Sequence, residues 1–526
     1  MPKQLTKQTL FELLSARFGE EKKLSHIPNP ALLHDGEKAA KIIAHAINSK
    51  KKITLVGDYD VDGVSSSAIM VEFFKLIPYP LEVIIPNRFN DGYGVSPNLL
   101  NKIETDLIIT VDNGITATEA AKICKNRGID LIITDHHTPP DILPDAKAIV
   151  DPKLSKCSYP FKDICGAEVA WLVLALLKKE LKLNINMKEF LDVLALAIIA
   201  DIMPLTDINR TLVKEGLKVL ISSKRPASVI IRDFLNKSKI SSEDIAFLIA
   251  PRLNSAGRME DASLALDFLT AQDTHKAYLC FEKLNSLNEL RKELEAQCTK
   301  EAISKANPNQ LVVVVAQEGW HEGIVGIVAS RVVEHFGKPA IILSIENETA
   351  KGSARSIGDV DIYKLIKQSS EFLLKFGGHK MAAGLSMDKN NIEDFSNAIN
   401  KYAKQIDKKD FVPKNNITGI LDIEDIDFEL LDILERFEPY GEANPRPTFL
   451  FEDAHITDIT LMGKDKSHSK ITIKQNQHTQ KTTQIIAFRQ VFEMPQNKKI
   501  TCSYKVSKNE FNGKISVQLL VDKIFL

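Results

Sequence analysis

The chain has 526 residues, too many for one hydrophobic core and enough for roughly three or four domains. With 44% hydrophobic and 26% charged residues, and 68 Lys+Arg against 69 Asp+Glu, it has the composition of a globular protein without bulk polyanion affinity. Six cysteines without a CxxC pair, no apolar signal core and no run of roughly 20 apolar residues predict reduced thiols, no membrane span and a cytoplasmic location.

Short apolar runs at residues 53–57, 81–86, 106–111, 130–134 and 146–150 alternate with helical patterns such as 64–76 and 118–126. This βαβ rhythm predicts an α/β domain on a parallel sheet over 51–276, after an N-terminal extension of residues 1–50. Residues 190–200 read as a buried helix ending at Asp201, and 277–310 as a connecting helix. A second α/β domain is expected over 311–405, with strands at 311–315 and 340–344. Beyond the polar break at 404–409 the period becomes two, at 470–474, 482–488, 500–506 and 515–521. Residues 411–526 therefore predict a small β-barrel of the oligonucleotide-binding (OB) type.

In a parallel sheet, sites form beyond the carboxyl ends of the strands. Asp58, Asp112 and Asp135 each follow a predicted strand, in Asp58-Tyr59-Asp60-Val61-Asp62-Gly63, Asp112-Asn113-Gly114 and Asp135-His136-His137. A single Asp there is usually a cap or a turn residue. Three such clusters on successive strand ends point instead to hard divalent cations held by oxygen ligands, with imidazole favouring manganese. Two such ions suit phosphodiester hydrolysis. Asp62 reads equally as a ligand and as a cap of the following helix.

These motifs resemble the DHH phosphoesterase family, and most closely its RecJ-type branch of single-strand-specific exonucleases. The resemblance extends through Ala200-Asp201-Ile202-Met203-Pro204-Leu205, Arg252-Leu253-Asn254-Ser255-Ala256-Gly257-Arg258-Met259 and Gly377-Gly378-His379-Lys380-Met381-Ala382-Ala383-Gly384. It implies metal ligation of two cations, Mn2+ or Mg2+, by Asp58, Asp60, Asp112, His136 and Asp201, with Asp112 as the bridge. His137 is implied as phosphate contact or general acid. Some relatives carry a histidine before the first aspartate, where this strand has Thr54, Leu55 and Val56.

Arg258, Arg331, Ser353, Arg355, Gly378 and His379 are the implied substrate contacts. The paired glycines allow close approach of backbone N–H groups to phosphate, or form a tight turn, with the Ala-Ala-Gly run packing a helix beneath. Tyr59, Phe89 and Tyr93 are candidates for base stacking, and Lys464, Lys466, His468 and Lys470 for backbone contacts in the barrel. The implied activity is 5′→3′ release of 5′-mononucleotides from single-stranded DNA in repair and recombination. The chain is expected to act as a monomer, with a helicase and a single-strand-binding protein as implied partners. The rival readings are a small-nucleotide phosphodiesterase and a non-catalytic scaffold.

Overall fold

The computed structural model describes residues 2–19, 21–87, 91–413, 416–463, 466–476, 480–511 and 514–525. Leu, Ile, Val and Thr fill the first five strands: β1 (Ile53–Val56), β2 (Glu82–Ile84), β3 (Leu107–Val111), β4 (Asp130–Thr134) and β5 (Ala148–Val150). They form one all-parallel sheet in the order β2-β1-β3-β4-β5. Every residue of β1, β3 and β5 is buried, as expected of strands covered on both faces. β2 is shorter than the 81–86 run because it is an edge strand paired only to β1 and Pro86 stops it. Helix α1 (Val61–Leu76) starts three residues before its apolar pattern, because Asp60 Oδ1 accepts from the N–H of Asp62 (2.9 Å) and Gly63 (3.1 Å). Helices α2 (Gly166–Glu180) and α3 (Leu191–Ala200) continue this core, and α3 is buried nearly all round.

Helix α4 (Ala250–Met259) follows a π-helical turn at Ile245–Ile249 and carries the Arg252–Met259 motif. Helix α5 (Thr274–Lys305) is the 32-residue connector and packs on α6 (Val325–Phe336) of the second α/β unit. That unit's sheet runs β9-β10-β8-β7-β6, with β6 (Val313–Glu318), β7 (Ala340–Glu346), β8 (Thr349–Arg355), β9 (Lys375–His379) and β10 (Ala382–Asp388). Gly377-Gly378-His379 is thus neither a turn nor a helix end. It is strand, with Gly378 opposite Ala383, and the Ala-Ala-Gly run is its antiparallel partner, whose Ala383 packs in one core with Ile362, Leu365 and Ile366 of the helix Ile362–Gln368.

The C-terminal strands are β11 (Ile417–Leu421), β12 (Thr448–Met462), β13 (His468–Lys474), β14 (Thr483–Ala487), β15 (Lys499–Phe511) and β16 (Lys514–Phe525). Pairings run β12-β13-β14-β16-β15 and return to β12, around Phe449, Phe451, Ile471, Ile485 and Tyr504. The first 50 residues do not behave as one extension. Gln4–Leu5 pairs in parallel with β11, and Leu10 and Leu14 of the helix Lys7–Ser15 enter the barrel core. Leu33, Ala39, Ala40 and Ile43 belong to the core of the first sheet instead. The period-two and 3.6-residue patterns report local form only, so they carry no sign of this division.

Candidate metal centre and strand-binding groove

Asp58 follows β1, Asp112 follows β3, His136 follows β4 and Asp201 caps the C-terminus of α3. Asp112 adopts φ +62°, a conformation that costs a non-glycine residue energy and aims its side chain at the centre. Side-chain ligand atoms fall into three groups, each mutually within 4.8 Å: Asp58, Asp60 and Asp112; Asp112, His136 and His137; Asp62, His136 and Asp201. Asp112 and His136 each belong to two of them, so the three groups form one cluster. His136 Nε2 lies 3.1 Å from Asp112 Oδ1 and 3.6 Å from both Asp62 Oδ2 and Asp201 Oδ2.

Buried Asp58 Oδ1, Asp112 Oδ1 and Asp201 Oδ2 have no hydrogen-bond partner. Burial, then repulsion between the carboxylates, pushes Asp58 and Asp112 well above the ordinary range and Asp201 up to about 9. Burial lowers His136, so it stays neutral with a free ring nitrogen. Such a donor set is costly unless cations compensate it. The residues therefore fit hard divalent ions, which Asp58, Asp60, Asp112, His136 and Asp201 would hold.

Asp62 is a helix cap, but not of its own helix. Its carboxylate, 104 residues away in sequence, accepts from the N–H of Gly166 (2.6 Å) and Ala167 (2.9 Å) at the start of α2. Its Oδ2 also faces His136, so it ties α2 to the centre. Gly166 must stay small, because a Cβ there would stand 2.6 Å from Asp112 Cβ. Asn113 bolts two strand ends together by donating to Val56 O (3.0 Å) and Val111 O (2.9 Å).

Asp135 turns away from the cations. Its carboxylate accepts from the N–H of Ile115 (2.9 Å) and His136 (2.7 Å), and Oδ1 lies 2.7 Å from His137 Nδ1. Burial alone would lower His137, but the Asp135 contact and the charges of Asp201 and Asp58 hold it up to about 9. Its ring is 46% exposed, and Asp135 occupies Nδ1, which leaves Nε2 as its other donor.

His137 lines a groove of about 1040 Å3 between the two α/β units, together with Tyr93, Arg258, Ser353, Arg355 and Gly378. Arg355 Nη1 donates to Ser353 Oγ (2.6 Å) and Ala354 O (2.9 Å), and no carboxylate pairs with it among the described residues. Burial lowers its pKa, consistent with a guanidinium whose counter-ion would come with the substrate. Arg258 also lines a second cavity of about 430 Å3, reaching Phe247, Met203 and barrel residues Tyr440 and Glu442. The two cavities meet at that arginine.

Three sequence profiles match: the DHH family, N-terminal domain, over residues 52–198, the DHHA1 domain over 308–405, and the RecJ OB domain over 417–523. The single-stranded-DNA-specific exonuclease RecJ of Haemophilus influenzae is 34% identical, over 96% of this chain and 93% of its own. The chain belongs to the RecJ family. The RecJ of Bacillus subtilis is 35% identical over 96% of this chain, which spans 65% of that longer protein. Thermus thermophilus RecJ with Mn2+ is similar over 100% of this chain and 79% of its own, at a TM-score of 0.82 and 27% identity. The same protein with Mg2+ gives 0.77 and 26%, over 99% and 78%.

Against this RecJ-family frame, Asp58, Asp60, Asp112, His136 and Asp201 converge, and His137, Arg258, Ser353, Arg355 and Gly378 share one groove. Arg331 and His379 are not among the groove's lining residues. Arg331 Nε donates to Glu295 (2.9 Å) and Nη1 to Glu334 (3.0 Å), and Glu295 also binds Arg291 (2.6 Å). That arginine clamps α6 to the connector α5. His379 is exposed at the end of β9. Tyr93 stands edge-on to Tyr59 and to His137, while Phe89 and Lys464 lie outside the described residues. The role of Asp62 was the residue-level signal missed: its acidic spacing was visible, its partner helix was not.

Proposed function

We propose that this chain hydrolyses single-stranded DNA 5′→3′ to 5′-mononucleotides, using two divalent cations, Mn2+ or Mg2+. The observations that carry this reading are the unpartnered, buried carboxylates of Asp58, Asp112 and Asp201, the grouping of Asp112 with His137, and the groove that His137 lines together with Arg355, Ser353 and Arg258. When bound, the cations neutralise the phosphoryl oxygens and acidify the attacking water. Asp58, Asp60, Asp112, His136 and Asp201 hold them, and Asp62 fixes α2 against the ligand set.

Arg355, with Ser353 and Arg258, grips the phosphate at the strand's 5′ end, and its planar fork orients the scissile bond. His137, kept charged by Asp135, donates from Nε2 to a phosphate or leaving oxygen. Arg258 joins the groove to the cavity beside the barrel, so a strand held there is handed from one to the other. The setting is DNA repair and recombination in the cytoplasm, as a monomer working with a helicase and a single-strand-binding protein. No helix among the described residues is long and apolar enough to cross a membrane.

Manganese-dependent digestion of end-labelled single-stranded and blunt duplex DNA tests this, with Asp60→Ala as control. Mononucleotides from single strands only, and none from the variant, are expected. Equal digestion of dinucleotides and long strands would replace the reading with a small-nucleotide phosphodiesterase.

A further inference from the structure

A third cavity, of about 730 Å3, lies where the N-terminal segment, the barrel and the helix Asp207–Ser222 meet, and none of its lining residues belongs to the catalytic groove. Three arginines line it. Arg17 Nη1 donates to Asn444 Oδ1 (3.1 Å) and Pro445 O (2.7 Å). Arg210 Nη1 donates to Phe437 O (2.9 Å), with its guanidinium 4.2 Å from the centre of the Phe18 ring. Arg436 is exposed at the end of its helix. None of the three makes a carboxylate ion pair among the described residues. The cavity's own acids are already engaged, Asp207 by Lys22 (2.6 Å) and Glu21 by Lys214.

Neutral carbonyls satisfy guanidinium donors but leave the charge uncompensated, and Arg17 and Arg210 are partly buried. Burial lowers the pKa of both, outweighing the upward pull of Tyr440 on Arg17 and of Glu21, Tyr440 and Glu438 on Arg210. Phe18, Phe437 and Phe161 add aromatic walls, with Phe18 and Phe437 stacked at 13°. The volume suits a small organic ligand. Cationic forks beside aromatic faces recognise a phosphate joined to a flat ring.

We propose that this cavity is a second nucleotide site, in which Arg17, Arg210 and Arg436 take the phosphates and the Phe18–Phe161 walls take the base. Thr206 and Asp207, which line it, close the loop that begins at Asp201, and Leu205 N–H in that loop donates to Glu442 O of the barrel (2.8 Å). Occupancy there is therefore sensed by a segment that also borders the catalytic centre. The ligand is a free nucleotide or a nucleotide of a bound strand, which share this chemistry.

The test is fluorescence titration of the full chain with mant-ADP, comparing wild type, Arg436→Glu and Arg355→Ala. Arg210→Ala is secondary because it also removes a contact between domains. Saturable binding that survives Arg355→Ala and weakens by about tenfold or more in Arg436→Glu is expected. Adenosine should fail to displace the probe. Displacement by oligo(dT) from the Arg355→Ala protein assigns the site to a bound strand, and no displacement assigns it to free nucleotides. Binding lost in Arg355→Ala and unchanged in Arg436→Glu, or absent from all three proteins, overturns the proposal. Exonuclease activity is read separately, so an inactive wild type would count against the function proposed above and not against this site.

Discussion

Replacing Gly166 by alanine adds one methyl group at the point where α2 meets the metal centre. That carbon would sit 2.6 Å from Asp112 Cβ and 2.8 Å from Asp112 Oδ1. Restoring van der Waals contact needs a displacement of about 1 Å, which Asp112 resists because its backbone is already in the left-handed region. The Gly166 N–H also holds Asp62 at 2.6 Å, so moving α2 moves two carboxylates together. Overpacking of this kind costs ~1–3 kcal/mol, or roughly 2–12 °C in melting temperature for a domain of this size. A misplacement of ~1 Å at a reacting centre lowers turnover by about 10²-fold. The assay is mononucleotide release from single-stranded DNA across a Mn2+ titration, beside thermal melts. Gly166→Ala protein with wild-type turnover, Mn2+ half-saturation and melting temperature would refute the packing argument.

Asp112→Asn is expected to abolish turnover while raising the melting temperature of the metal-free protein, since it removes a carboxyl that burial and its acidic neighbours force to take up a proton on folding; calorimetry in EDTA checks this. Metal-free stability should fall as pH rises from 7 to 9. Asp201 and His137 are each held up to about 9, so the folded state keeps protons that the unfolded chain has already lost, and that advantage disappears as pH passes their folded values. Saturating Mn2+ should flatten the dependence, and melts across that range with and without metal decide it. Arg355→Ala should raise KM for 5′-phosphorylated strands by about 10–100-fold, through loss of a charge-assisted contact. Arg331→Ala should leave KM within about twofold and lower the melting temperature instead, because Arg331 is engaged by Glu295 and Glu334.

The metal centre was legible in part because parallel strands place their carboxyl ends on one rim, so topology brings Asp58, Asp112 and Asp135 together, while His136 as a ligand came from the family resemblance. Asp201 was legible as the end of an all-apolar helix. What sequence could not show were pairings across long separations. Asp62 finds its partners 104 and 105 residues away. Arg331 answers to Glu295 on a different helix, and neither residue's local pattern distinguishes an ion pair from a substrate contact. The glycine pair at 377–378 misled for a different reason: glycine permits a turn, but the turn of this local hairpin falls at Lys380–Met381, and the pair lies in the strand before it, opposite Ala383 and Gly384.

The parallel pairing of Gln4–Leu5 with Ile417–Leu421 also bears on how the chain is made. Gln4–Leu5 must wait during synthesis for partners more than 400 residues behind it. Leu5, Leu10 and Leu14 meanwhile have no barrel core to enter. Docking of the barrel therefore waits until residues 417–421 have been made, and a nascent chain halted before residue 417 carries a sticky, unpaired strand at Gln4–Leu5.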